Sequence, residues 1–547
     1  MHPVAQRLHG ALAQRPWLAP SALAGLAAIV LLVRLGEPAG IVFDETYYVT
    51  DARGYLETGA EPGFAVHPTL GKWLIAAGMW VVGDTPTGWR VSGALAGVVI
   101  AVLTYLLARR LLRDTAAGWW LALVAPVLLL ADGLFLTQSR IAMLDIHLAL
   151  FAIAGLYVLV VDHQRRLDHG DGARSLRWVA GALFGLAIGV KWSGLLALGG
   201  AGLLTIAWEV DAMGSDRWRE FPRRVVAVAG SLVVVPVLVY GLTWAPWLAN
   251  FEDTFTYEDT IGAACPAERP CEPTLADRGR GLVRHHDQIL DFHLGLEATH
   301  TYRSSPSGWP VLERPVVYYW STCSEAEATA APTFDPDTGE TQPVCDVEPG
   351  QAGEVLSIGN PALWWGFLLL TPLLVAGTVL RDRRSAVPLV GWLATWLPWL
   401  LVSRTAFLFY LTPAVPLLAL GAVVAVERLG APGAVRRTFA GAAIGAALPL
   451  ATIGGLVWLG VLESIGWAVV AGATGWVLGA AIGAVADRAH DPDGILGASP
   501  GRRTTGRWSI ALTVTVLATA VFFAPVWYAL PLDEDAVRTR WWFDSWI

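Results

Sequence analysis

The sequence predicts an all-α membrane protein that crosses the bilayer roughly 11–13 times and holds two large segments on one side. Three observations predict it. Hydrophobic residues make up 54% of the 547-residue chain and charged residues only 15%, with a mean hydropathy of +0.50, too little charge to cover a soluble chain of this size. Apolar stretches long enough to span recur from end to end. Arginines collect in every second connection between them.

A span needs roughly 20 apolar residues. Such stretches fall near 17–35, 89–107, 117–132, 141–161, 177–191, 194–209, 224–244, 360–380, 386–402, 405–427, 438–461, 464–486 and 508–529. The first, Trp17–Val33, follows Arg7 and Arg15. It reads as an uncleaved signal anchor with a cytoplasmic N-terminus.

Parity is tested by the positive-inside rule. With the N-terminus inside, the cytoplasmic connections are 108–116, 162–176, 210–223, 381–385, 428–437 and 487–507, and every one is arginine-rich: Arg109/Arg110/Arg113, Arg165/Arg166/Arg174, Arg217/Arg219/Arg223, Arg381/Arg383/Arg384, Arg428/Arg436/Arg437 and Arg488/Arg502/Arg503/Arg507. One misplaced span would invert all later connections.

The large segments 36–88 and 245–358 then lie outside, and the chain ends outside. This divides the chain into an N-terminal membrane module (1–244), an external segment (245–358) and a C-terminal membrane module (359–547). The external segment holds all four cysteines, as an oxidising compartment requires. Four cysteines allow three pairings; proximity in sequence favours Cys265–Cys271 and Cys323–Cys345. The net charge of −8 is unevenly spread, acidic in the external segment and basic in the cytoplasmic connections, and the expected partners are membrane lipids rather than nucleic acid.

Ionisable groups at membrane depth mark functional sites. Asp44, Glu45, His67, Lys72, Arg90, Arg140, Lys191 and Arg404 all fall on the outer side, in loops or at span ends. Of 38 Lys and Arg, only two are Lys, and both are in this group. Cations at span ends also snorkel to headgroups, but in so arginine-rich a chain arginine would serve that purpose equally well. Cations facing an acidic pair suit a lipid phosphate and a general base.

These residues lie in motifs that resemble the protein O-mannosyltransferase family. Ile41-Val-Phe-Asp-Glu-Thr-Tyr-Tyr48 is similar to the family's Asp-Glu motif, and His67-Pro-Thr-Leu-Gly-Lys72 to its His-Pro-x-x-Gly-Lys signature. Gly88-Trp-Arg90, Ser139-Arg140 through Asp145, Gly189-Val-Lys191-Trp-Ser-Gly194, Tyr302 through Trp309, Arg314 through Trp320 and Arg404 through Pro413 follow in family order. The short external segment resembles the bacterial, actinobacterial-type members, without room for a β-trefoil module. The resemblance implies the type C glycosyltransferase architecture in the plasma membrane, with an extracytoplasmic active site. It implies mannose transfer from polyprenyl phosphate mannose to Ser or Thr of a translocated protein.

The implied roles follow that resemblance. Asp44 is the expected base, and Glu45 orients the acceptor or a neighbouring cation. A base and a leaving group on opposite ring faces give inversion. His67, Lys72, Arg90, Arg140, Lys191 and Arg404 are expected at the donor phosphate, where charge grows as the bond breaks. Tyr302, Trp309 and Arg314 are expected at the acceptor, with the run to Trp320 lining its groove. An unfolded acceptor implies coupling to protein-export machinery.

No cofactor or metal is expected. Asp335/Asp337, Asp491/Asp493 and Asp533/Asp535 have Asp-x-Asp spacing but lie in turn-rich loops. His286 and His293 are two helical turns apart, too far for joint ligation. Together with His285 and His300 they are expected on the surface or at the acceptor groove. The segment 282–296 reads as an amphipathic helix packed within the external segment. Two other readings keep parts of this picture: a lipid-phosphate-sugar transferase acting on a glycolipid or cell-wall glycan, and a polytopic transporter. A transporter would place ionisable groups near the bilayer midplane and show paired repeats. Here the groups gather at one face, and no repeat is visible.

Overall fold

The structure is a computed structural model. It describes residues 10–64, 66–170, 175–213, 217–261, 272–296, 299–328, 333–335, 340–342, 345–429, 438–447, 466–490 and 502–546. Helices dominate. α1 (Leu18–Leu32) leads into two helices of the first outer segment, α2 (Glu45–Glu57) and α3 (Leu70–Val82). α4 (Pro86–Leu111) starts on Thr85, whose hydroxyl accepts from Gly88 N at 3.2 Å, with Pro86 preset at its first position.

A bent pair follows, α5 (Gly118–Leu130) and α6 (Gly133–Arg140), meeting at 63°. The bend has a local cause. Asp132 caps α6 by accepting from Phe135 N at 3.0 Å, and its other oxygen accepts from Asn360 N and Trp364 Nε1, both at 2.8 Å. Gly133 sits so close to Trp527 that a β-carbon would lie 2.1 Å from the indole. The sequence reading made 133–140 a loop between spans; it is a helix with every residue buried.

α7 (Leu144–His169), α8 (Ser175–Val190), α9 (Gly194–Ala212) and α10 (Arg219–Thr243) complete the first module. α10 carries a π-helical turn, Gly230–Val234, just before Pro236, where the missing proline N–H interrupts the α-helical ladder. At the arginine-rich end, Glu209 of α9 gathers Arg166, Arg177 and Arg224 at 3.1, 2.7 and 2.6 Å.

Within residues 245–358 lies α11 (Leu275–Gly295), capped by a Thr274–Asp277 capping box. Its His285 and Ile289 are buried against Trp244, Trp247 and Phe251. The expected packing is therefore present, although Val283, Leu290 and Leu294 stay exposed. Beyond it the fold departs from all-α. β1 (Val316–Thr322), rich in β-branched and aromatic residues, pairs antiparallel with β2 (Gln351–Ser357).

α12 (Pro361–Val379), α13 (Arg383–Trp396), α14 (Leu408–Leu429, opening as a 3-10 turn), α15 (Gly466–His490) and α16 (Arg502–Trp527) form the second module. The chain then returns to the sheet as β3 (Leu532–Asp533), paired with β2. Among the described residues, seven helices are long and apolar enough to cross a membrane, and the bent pair adds an eighth. Shorter apolar helices, Leu18–Leu32, Leu176–Val190, Thr438–Ala447 and Thr474–Ala486, coincide with the remaining predicted spans apart from 386–402, where α13 gives way to a 3-10 turn, Leu397–Leu401. Leu70–Val82 was not predicted.

Candidate active site

The site forms where α2, the start of α7, the end of α8 and the start of α14 meet. Asp44 precedes α2, and its carbonyl accepts from Tyr47 N at 3.0 Å and Tyr48 N at 3.2 Å, so the side chain stands at the mouth of the helix. It is half-buried. Burial pushes its carboxyl up to about 6; Lys191 opposes the rise, Asp145 adds to it, and a hydrogen bond with Tyr48 opposes it.

Glu45 next door is fully buried. It takes Arg90 in a two-point pair, Nε to Oε1 at 2.8 Å and Nη2 to Oε2 at 2.9 Å, and also accepts from Ala142 N at 2.8 Å and Val42 N at 3.0 Å. Arg90 directs its other donors to the carbonyls of Leu35, Pro38 and Gly40 at 3.3, 2.8 and 3.0 Å. Of the two partners expected for Glu45, acceptor or neighbouring cation, the ion pair is with the cation Arg90.

Lys191 enters from the break between α8 and α9. Gly194 is required there, since a β-carbon would lie 2.7 Å from the Ala187 carbonyl carbon. The ammonium donates to Asp145 at 3.1 and 3.0 Å and lies over the Tyr410 ring at 4.5 Å. Arg404 donates to Tyr410 Oη at 3.1 Å and to His293 Nδ1. His293 stacks on His67, ring centroids 5.3 Å apart. Burial, reinforced by surrounding cations, holds His67 well below the usual imidazole range and His293 at about 4, so both rings are neutral.

Of the six residues expected at the donor phosphate, Lys191 acts on Asp44 while paired with Asp145, and His67 and Arg404 join the cluster through His293 and Tyr410. The structure directs the donors of the other three elsewhere. Arg90 belongs to Glu45. Lys72 is 1% exposed and bridges Glu61 at 2.9 Å and Asp51 at 3.3 Å. Arg140 donates to the carbonyls of Leu31, Val33 and Arg34 at 3.0, 2.6 and 3.0 Å and lies under Tyr528 at 4.3 Å. It satisfies carbonyls that the end of α1 leaves open.

The expected acceptor residues lie between α11 and β1. Tyr302 is half-buried, its N–H donating to His300 Nδ1 at 3.1 Å. Arg314 donates to the carbonyls of Thr301 at 3.0 Å and Ser545 at 3.1 Å. Trp309 is 1% exposed, donates to Ser304 Oγ at 2.8 Å and packs edge-on to Tyr410 at 6.2 Å. Its ring opens onto no groove, because Tyr410 and Trp399 cover it.

Asp145, Tyr48, His293 and Tyr410 complete the site. Asp145, Tyr48 and Tyr410 stood inside the quoted motifs, but nothing in the spacing distinguished them. His293, expected at the surface or acceptor groove, turns inward against His67. Cys323 and Cys345 form a disulfide, Cα atoms 5.5 Å apart, beside β1. Cys265, Cys271, Asp337, Asp491 and Asp493 lie outside the described residues. Among the described residues, no three His, Cys, Asp or Glu side chains gather to hold a metal ion.

A half-buried carboxylate with a lysine acting on it, among apolar helices long enough to cross a membrane, is the setting of a polytopic membrane protein with a polar site. Residues 87–251 match the family model described as dolichyl-phosphate-mannose-protein mannosyltransferase. Residues 279–461 match the C-terminal four TMM region of protein-O-mannosyltransferase. The polyprenol-phosphate-mannose–protein mannosyltransferase of Corynebacterium glutamicum is 31% identical over 417 residues, 69% of this chain and 75% of that protein. The protein of the same name from Mycobacterium tuberculosis is 32% identical over 445 residues, 74% of this chain and 80% of that protein. The S. cerevisiae protein O-mannosyltransferase Pmt1-Pmt2 complex, solved with its sugar donor, superimposes with a TM-score of 0.67 at 13% identity, covering 97% of this chain and 92% of that one. The chain belongs to the protein O-mannosyltransferase family and has its type C glycosyltransferase fold.

Proposed function

We propose that this chain moves mannose from polyprenyl phosphate mannose to Ser or Thr hydroxyls of translocated proteins, on the outer face of the plasma membrane. The observation that carries the reading is the half-buried Asp44 carboxylate, with its hydrogen-bond partner Tyr48 and with Lys191 and Asp145 acting on it. The acceptor oxygen attacks the anomeric carbon, and its proton passes to the Asp44 carboxylate. The bond from that carbon to the phosphate oxygen breaks on the opposite face, and polyprenyl phosphate leaves with inversion. Lys191 and Arg404 meet the charge that grows on the phosphate, Arg404 through its planar fork. They supply that charge without a cofactor.

In this reading Glu45, Arg90, Arg140 and Lys72 hold the outer segment in place around the donor. Trp309 supports Tyr410 from behind, and Tyr302 and Arg314 shape the approach of the acceptor. The three-part division 1–244, 245–358 and 359–547 follows the site: bundle, covering segment, second bundle. An acceptor chain must be extended to reach Asp44, which favours action during export.

The test is transfer of radiolabelled mannose from polyprenyl phosphate mannose to a Ser/Thr-rich peptide, in membranes carrying wild type or Asp44→Asn at equal protein level. Labelled peptide with wild type and none with the variant is the expected result. Label in a lipid or glycan fraction instead would move the acceptor to a glycolipid or cell-wall glycan.

A further inference from the structure

Phe43, the residue before Asp44, has φ +50°. This left-handed conformation brings the β-carbon against the following carbonyl and is rare for a bulky side chain. Glycine would sit there without strain. The chain keeps a phenylalanine, and its partly buried ring packs into an aromatic cluster. Tyr318 of β1 lies 4.8 Å away, His300 5.7 Å, Phe409 5.8 Å and Phe407 6.1 Å, centroid to centroid. These rings come from three separate stretches of chain, all outside the first outer segment. They are braced in turn, since Gln138 donates to Tyr318 Oη at 2.6 Å and Ser304 N to the Ala406 carbonyl at 2.9 Å.

On the other side of Asp44, Glu45 is fixed by Arg90, Ala142 N and Val42 N. Asp44 is therefore the one half-exposed carboxylate between two anchored neighbours. With Phe43 held left-handed and Glu45 locked into α2, the backbone of Asp44 is fixed on both sides, and its carboxylate is hydrogen-bonded with Tyr48 and acted on by Lys191. Strain of this kind persists only where the surroundings over-determine it.

We propose that Phe43 is the positioning residue for Asp44, its packed ring serving to aim the carboxylate. This rests on the reading of Asp44 as the base. It makes the aim of Asp44 depend on closure of the outer segment and the 403–410 stretch over Phe43. The charged and titratable groups facing Asp44 are Tyr48 from α2, Asp145 from α7, Lys191 from the α8–α9 break, Tyr318 from β1 and Tyr410 from α14.

The experiment uses the purified full-length chain in lipid, with polyprenyl phosphate mannose and a Ser/Thr peptide. It measures kcat and donor KM against pH for wild type, Phe43→Gly and Phe43→Leu. Glycine keeps the left-handed backbone without the ring; leucine keeps apolar bulk and serves if glycine fails to fold. A misaimed base costs on the order of tenfold to a hundredfold in kcat. The donor KM stays within about twofold, since the phosphate-binding groups are untouched. The acid limb moves down toward the ordinary carboxylate range as Asp44 gains water. An acid limb that stays at the wild-type position, whatever the loss of rate, would assign Phe43 to packing alone and overturn the proposal. Asp44→Asn separates the two readings. If it is inactive while Phe43→Gly behaves as wild type, only the positioning fails. If Asp44→Asn retains activity, the base fails and the role of Phe43 with it.

Discussion

Lys191 grips Asp145 by both carboxylate oxygens, at 3.1 and 3.0 Å, while Tyr410 closes over the ammonium at 4.5 Å. The pair joins the break between α8 and α9 to the first turn of α7, and both members act on Asp44 with opposite sign. Asp145→Asn removes a negative neighbour and should move the acid limb of kcat downward. Lys191→Met removes a positive one and should move it upward, with a fall of about 10²–10³ in kcat from loss of a charge at the leaving phosphate. Shifts in the same direction would break the assignment.

Wild-type activity should follow ionisation of Asp44. The base acts as carboxylate, so with its carboxyl raised to about 6 the rate is level above that pH. It falls about tenfold per unit below it. Initial rates from pH 4.5 to 8 with saturating donor give this limb directly, and a limb that stays at the same pH in Asp145→Asn would place it on another group.

Arg404 is bound to Tyr410 Oη and His293. Arg404→Lys keeps the charge but loses the planar fork. Donor affinity should weaken about tenfold, read by titration with polyprenyl phosphate. Unchanged affinity would remove Arg404 from the donor site.

Glu45 and Arg90 are a fully buried pair. Breaking it by Glu45→Gln or Arg90→Met leaves one uncompensated group and should cost about 3–5 kcal/mol. Thermal unfolding in detergent measures the loss. The double variant should recover part of it, whereas simple additivity would deny the coupling.

Glu354 of β2 is buried, and burial pushes its carboxyl up to about 7 against the pull of Trp541 Nε1 and Arg540. A folded-state value above the unfolded one means stability that is complete below the ordinary glutamate range and is lost as pH rises through about 7. From 4.5 to about 7, the linkage is on the order of 3 kcal/mol. Hydrogen exchange in 351–357 and 532–533 should quicken between pH 5 and 8, and Glu354→Gln should abolish the difference.

The membrane plan was legible because it follows from local rules. Apolar length marks the spans and arginine marks one side of the bilayer, so α4, α7 and α10 fall where hydropathy puts them. The sheet was not legible, since β3 joins β2 from residues beyond the last span. The helical 133–140 segment was not legible either, because its bend depends on Asp132 meeting Asn360 and Trp364.

The same boundary runs through the site. By itself the sequence determined that Asp44, Glu45, His67, Lys72, Arg90, Arg140, Lys191 and Arg404 lie at one end of the bundle, because span parity fixes which end each residue reaches. It also favoured the pairing of Cys323 with Cys345. Only the tertiary structure decided which cations face the carboxylate. A buried guanidinium or ammonium must be fully hydrogen-bonded, and the partners that claim Arg90 and Arg140 are backbone carbonyls some 50 to 109 residues away in the chain. Packing brings those acceptors to Arg90 and Arg140, Glu61 to Lys72 and Asp145 to Lys191, and it sets both Lys191 and Arg404 over the ring of Tyr410.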